Sequence, residues 1–145
     1  MMIEDKSVSI LLVEDDEIDR MIVQRAFKKN NVANPLYLAH DGQEALDMLK
    51  GTNGKTKLFP LPKIMLLDIN MPRMSGLELL KEIRQDEELK LISVFVLTTS
   101  ADDKDRMEAY KNNVAGYILK PVSFDKLVTA VSVLNNYWQL CQLPD

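Results

Sequence analysis

Residues 64–80, IMLLDINMPRMSGLELL, decide how the rest of the chain is read. Ile64–Leu67 is continuously apolar rather than alternating, the pattern of a strand covered on both faces. Asp68 ends the run, Ile69, Asn70, Met71 and Pro72 intervene, and Ser75 offers the oxygen that caps a helix reaching to about Gln85. Strand, polar turn and helix then recur outward from this unit. Four more apolar runs, Ser9–Val13, Leu36–Ala39, Val94–Leu97 and Tyr117–Leu119, alternate with helical stretches near Glu17–Asn30, Asp41–Lys50 and Asp103–Asn112. The first of these helices carries Ile18, Met21, Ile22 and Ala26 at helical spacing. A final helix carries Phe124, Leu127, Val128, Val131 and Leu134. The alternation and the right-handed crossover rule predict an α/β fold, a five-stranded parallel sheet with helices on both faces.

Composition bounds the function. A chain of 145 residues, 46% hydrophobic, fits one compact domain over residues 1–145, and residues 135–145 form an apolar C-terminal extension with Tyr137, Trp138, Leu140, Cys141 and Leu143. A net charge of −4 with charges of both signs leaves no basic stripe for a nucleic acid. A single cysteine excludes an internal disulfide, the N-terminal apolar run is too short and too soon acidic for a signal peptide, and no stretch approaches the roughly 20 apolar residues of a membrane span. The protein is expected to be soluble and cytoplasmic, with Gly51–Pro62 a solvated loop.

In sheets of this kind ligands bind beyond the carboxyl ends of the strands. There the residues turn polar: Glu14, Asp15 and Asp16 after the first run, Asp68 after the third, Thr98, Thr99 and Ser100 after the fourth, Lys120 and Pro121 after the fifth. Glu14, Asp15 and Asp68 would crowd three carboxylates into one crevice, where repulsion raises their pKa values unless a cation neutralises them. An all-oxygen set suits Mg²⁺ or Mn²⁺, and neither His40 nor Cys141 lies near this edge to favour zinc. Taken alone, Glu14–Glu17 is also explained by the helix dipole, at about 0.3–1 kcal/mol per acid. Thr98 alone is a good strand residue, and Lys120 alone a solvated loop charge. Asp68 resists such a reading, because Ser75 is the better cap. A carboxylate can act as a nucleophile towards phosphorus, and phosphoryl transfer asks for a metal, a fixed cation and a hydrogen-bond donor around it. Asp68 is the candidate nucleophile, with Lys120 and Thr98 as cation and donor.

Four segments in this order, VEDDE, LLDINMPRMSGLELL, VLTTSA and GYILKP, resemble the signature segments of bacterial response-regulator receiver domains over about Ser7 to Leu134. The resemblance implies a flavodoxin-like (βα)5 fold with strand order 2-1-3-4-5, and a response regulator of a two-component phosphorelay rather than a turnover enzyme. By the same resemblance Asp68 is the phosphoacceptor, Asp15 a direct metal ligand, Glu14 a ligand acting largely through water, and Asn70 a backbone-carbonyl ligand. Asp16 falls outside the metal-binding pair. Thr98 would bind the phosphoryl group and act as a switch with Tyr117, Lys120 would pair with that group, and the Lys120–Pro121 bond would be cis. The partner implied is a sensor histidine kinase or a phosphotransfer protein. The YW and C-x-L-P ending and the long loop before the third strand are similar to single-domain regulators that accompany bacterial phytochrome kinases.

Ala101–Asn113 is the least amphipathic helix, with Met107 and Tyr110 as its apolar anchors, and is expected to move at low cost. Tyr137, Trp138 and Leu140 form an apolar surface that either folds back on the domain or supports a homodimer through the fourth helix, fifth strand and fifth helix. Two other readings compete. A haloacid-dehalogenase-type phosphatase also uses an aspartyl nucleophile, but it resembles D-x-D after the first strand, whereas here the acid cluster comes first and Asn70 replaces the second acid. A flavin-binding module needs a phosphate-cradling loop after strand one, where Glu14–Glu17 would repel phosphate.

Overall fold

The computed structural model describes residues 8–144, so the start of the N-terminal segment and Asp145 lie outside the described residues. Strand and helix alternate as β1 (Ile10–Val13), α1 (Glu17–Lys29), β2 (Leu36–Ala39), α2 (Gly42–Lys50), β3 (Ile64–Leu67), α3 (Gly76–Gln85), β4 (Ser93–Thr98), α4 (Asp103–Lys111), β5 (Gly116–Leu119) and α5 (Phe124–Leu140), with a short 3₁₀ turn at Leu89–Leu91. The five strands form one sheet in the order β2-β1-β3-β4-β5, every pair parallel. This is the flavodoxin-like fold.

The continuous apolar runs divide their side chains between two cores. Leu11, Val13, Met65, Leu67, Val94 and Val96 pack with residues of α2, α3 and α4 on one face. Ile10, Leu12, Ile64, Leu66, Phe95 and Leu97 pack with α1 and α5 on the other. β1 and β3 are wholly buried, which is why their sequences show no alternation. Each of the five α-helices begins on a side-chain cap, Asp16, Asp41, Ser75, Asp102 or Ser123, so each leaves the sheet edge at a fixed residue.

Three expectations are corrected. The last helix does not stop near Leu134 but runs to Leu140, and Trp138 is 5% exposed. Its ring centroid lies 6.2 Å from that of Phe27 and 6.4 Å from that of Phe95. A large aromatic one helical turn beyond Leu134 continues the same buried stripe, so this part of the extension packs on its own domain, while Tyr137 and Leu140 stay 49% and 85% exposed. In α4 the buried residue is Ala109, and Met107 and Tyr110 point outward at 62% and 50% exposure. The small side chain lets this helix sit close to its neighbours without a large apolar anchor. Finally, the cis X–Pro bond among the described residues is Phe59–Pro60, not Lys120–Pro121. The trans form, intrinsically favoured by about 0.5–1 kcal/mol, already brings the Lys120 ammonium to the acids.

Candidate functional site

Backbone bonds that prolong the ladders by one residue place the polar side chains on a common edge. Glu14 N–H donates to the Ala39 carbonyl at 3.1 Å, Asp68 N–H to that of Val13 at 3.0 Å, and Lys120 N–H to that of Thr98 at 2.8 Å. Each functional residue therefore follows its strand directly and inherits the strand's position. Arg20, in α1, fixes the exit of β1: its Nη1 donates to the carbonyls of Glu14 and Asp15 at 2.8 and 3.0 Å. Asp16 caps α1 by accepting from Asp19 N–H. Behind Asp68, Gly76 N–H donates to the Ile69 carbonyl at 3.0 Å, and a Cβ at position 76 would stand 2.2 Å from the Asp68 carbonyl oxygen. Only glycine fits there.

The side chains converge. Carboxylate oxygens of Glu14, Asp15 and Asp68 all lie within 4.8 Å of one another, the first and third buried and Asp15 exposed. Lys120 Nζ stands 2.5 Å from Glu14 Oε1, 2.8 Å from Asp19 Oδ2 and 3.5 Å from Asp68 Oδ2. Burial pushes the Glu14 carboxyl up to about 7 and the Asp68 charge adds to the rise, together outweighing the bond from Lys120. Burial would pull the Lys120 ammonium down, but the bonds to Asp19 and Glu14 and the Asp68 charge prevail and hold it above its usual value. The raised Glu14 carboxyl marks an edge where buried negative charge outweighs the single ammonium of Lys120. The oxygen-only donor set of Glu14, Asp15 and Asp68 fits a hard divalent cation of the Mg²⁺ or Mn²⁺ kind. Asn70, exposed, donates its N–H to Asp68 Oδ1 at 3.4 Å.

Thr98 is fully buried. Its Oγ1 accepts from Ser100 N–H at 3.2 Å, the Ser100 carbonyl accepts from the Tyr117 hydroxyl at 2.9 Å, and the Ser100 hydroxyl donates to Asp105 Oδ2 at 2.7 Å. Bonds thus run from the site floor into α4. Burial pushes the Tyr117 hydroxyl up, so it stays a neutral donor.

The structure gathers Glu14, Asp15, Asp68, Thr98 and Lys120 at one edge, with Asn70 beside Asp68 and Tyr117 one step behind. Asp19, Arg20, Gly76 and Asp105 were missed by sequence reasoning, and Ser100 was noted at the edge without its link to Tyr117 and Asp105. The signal for Asp19 was an acid in the first turn of a helix that starts at the ligand edge, a place where helix-dipole complementarity hides a second role. Gly76 stood in plain view after Ser75, but a close backbone approach has no sequence signature.

A parallel sheet of this order with acids, a threonine and a lysine at its carboxyl edge is the architecture of a receiver domain. The response regulator receiver domain family matches residues 10–132, and the chain belongs to that family. Response regulator Rcp1 of Synechocystis is 36% identical over 129 residues, covering 89% of this chain and 87% of Rcp1. A probable methanogenesis regulatory protein, FilR2 of Methanothrix harundinacea, is 40% identical over 89% of this chain and 82% of its own length. Among solved structures, the phosphorylated cyanobacterial phytochrome response regulator RcpA superposes with a TM-score of 0.87 at 33% identity, and the Mn²⁺-bound form of Rcp1 with 0.85 at 33% identity, each covering 95% of this chain and 99% of the other. Receiver domains of this family serve two-component signalling with sensor histidine kinases. Neither the phosphatase nor the flavin reading finds support. No helix among the described residues is long and apolar enough to cross a membrane.

Proposed function

We propose that Asp68 accepts a phosphoryl group from a histidine kinase or phosphotransfer protein, with Glu14, Asp15, Asp68 and the Asn70 carbonyl holding Mg²⁺ or Mn²⁺, and that the chain works as one signalling unit in the cytoplasm rather than as a turnover enzyme. The observation that carries this reading is the convergence of Lys120, Glu14 and Asp15 on Asp68. An Asp68 oxygen attacks phosphorus, the bond from phosphorus to the donor breaks, and the donor leaves with the electron pair. The metal, when bound, supplies positive charge to the phosphoryl oxygens. Lys120 brings its ammonium to the same oxygens. The Thr98 hydroxyl, whose oxygen now accepts from Ser100, donates a hydrogen bond to a phosphoryl oxygen, and Ser100 carries the change to Tyr117 and, through Asp105, to α4. Kinship with RcpA and Rcp1 supports a phytochrome-type kinase as donor.

A signal read out by protein contact rather than by nucleic acid or membrane fits the absence of a basic stripe. Exposed Met107, Tyr110, Leu119 and Tyr137 on α4, β5 and α5 offer apolar contacts for a homodimer there, without Trp138. Incubation with acetyl phosphate and Mg²⁺ should add one phosphoryl group by intact mass, none in Asp68→Asn and none after chelation. Equal labelling of the mutant would sink the assignment.

A further inference from the structure

An ammonium has three N–H donors and no acceptor. Lys120 has a carboxylate within reach for each: Glu14 at 2.5 Å, Asp19 at 2.8 Å and Asp68 at 3.5 Å. The three partners differ in burial. Side chains of Glu14 and Asp68 are 3% and 7% exposed, that of Asp19 is 37% exposed, and Lys120 itself is 16% exposed. A phosphoryl oxygen on Asp68 that is to bond Lys120 must therefore displace a bond already made. The partner lost at least cost is the one that water can solvate when it is released, which is Asp19.

Asp19 also sits where its own charge opposes an incoming dianion. It shares an ammonium with Asp68, so the two carboxylates are close neighbours, and Asp19 belongs to the first turn of α1, whose N-cap Asp16 accepts its N–H. The cap fixes the backbone of Asp19 and leaves the carboxylate aimed at Lys120.

The geometry points to Asp19 as a positioning residue that holds the Lys120 ammonium in competition with the phosphoryl group, and so slows phosphorylation of Asp68 and weakens the phosphorylated state. This rests on the reading of Asp68 as acceptor. Asp19 touches neither donor nor reacting atoms and acts through Lys120. The covalent step is unchanged: an Asp68 oxygen forms the bond to phosphorus and acetate leaves acetyl phosphate with the bonding pair. What changes is how readily Lys120 turns to the phosphoryl oxygens.

The test compares wild type, Asp19→Asn, Asp19→Ala and Asp19→Glu for labelling by acetyl phosphate with Mg²⁺, followed over time by intact mass, and for beryllofluoride affinity, followed by the Thr98 and Ser100 amide NMR signals. Asp19→Ala, and more weakly Asp19→Asn, should label faster and bind beryllofluoride tighter by about two- to fivefold, the range set by a partly exposed ion pair, and Asp19→Glu should return both towards wild type. A merely structural Asp19 would shift the melting temperature without that pattern of gain and rescue. Equal rates and affinities in wild type, Asn and Ala proteins overturn the role of Asp19 while leaving Asp68 as acceptor. A wild type that takes no phosphoryl group overturns both.

Discussion

α3 and α4 leave the same edge of the sheet from neighbouring strands, β3 and β4, yet they are seated differently. α3 starts on a reciprocal Ser75–Glu78 capping box and buries Gly76, Leu79, Leu80 and Ile83. α4 starts on Asp102 and buries Ala109. Burying a Leu or Ile is worth about 1.5–3 kcal/mol relative to leaving it exposed, so α3 holds three such contributions where α4 has none. The tie at the far end of α4 comes from α3: Arg84 donates through Nε to the Asn112 carbonyl at 2.7 Å and through Nη2 to that of Asn113 at 3.0 Å. The helix behind the acceptor is therefore seated by apolar burial, and the helix behind Thr98 is held by polar ties, to Arg84 at its C-terminal end, to Lys81 through Glu108, and near its start through Ser100 and Asp105. A switch needs both, because charge must arrive at a rigid place and be read by a loosely held one.

Substitutions can break or sharpen this contrast. The largest effect is expected where apolar side chains are seated. Trp138→Ala in α5 should cost about 3–5 kcal/mol and Ile83→Ala in α3 about 2–5 kcal/mol in urea unfolding, and sedimentation of the Trp138 variant should show association no weaker than in wild type. A smaller loss, about 1 kcal/mol, is expected for Ser75→Ala, which opens the capping box. Least of all, Met107→Ala should change stability by no more than about 0.5 kcal/mol, because its side chain is exposed on α4. A loss at Met107 as large as that at Ile83 would mean that α4 is anchored after all.

The contrast was only half visible in the sequence. The strands and the polar residues that end them were legible from the unbroken apolar runs, whereas the strand order came from the resemblance of the four segments to receiver domains. Ser75 was legible as a cap from its place before the third helix. The seating of α4 was not: its weak amphipathicity was evident, but Met107 and Tyr110 looked like anchors, whereas alanine, the smallest apolar side chain there, is the one that fits the contact. Trp138 was ambiguous for the opposite reason, since an aromatic near a terminus serves core and interface equally well until its neighbours Phe27 and Phe95 are placed. Asp19 acts on Lys120, 101 residues away along the chain, and that pairing depends on the register of α1 against β5, which one sequence does not encode locally. Arg20 acts locally on the exit of β1, but a bond from a side chain to backbone carbonyls has no sequence signature.

The central claim is that the charge on Asp68 is read by α4 while α3 holds still, and amide hydrogen exchange of the whole chain tests it most directly. With Mg²⁺, addition of beryllofluoride should alter protection across Asp105–Lys111 by a clear factor, while Leu79–Ile83 keeps the slow exchange of a segment that opens only with global unfolding. Protection that changes in α3 and not in α4, or that stays the same in both although the ligand is bound, would contradict the account.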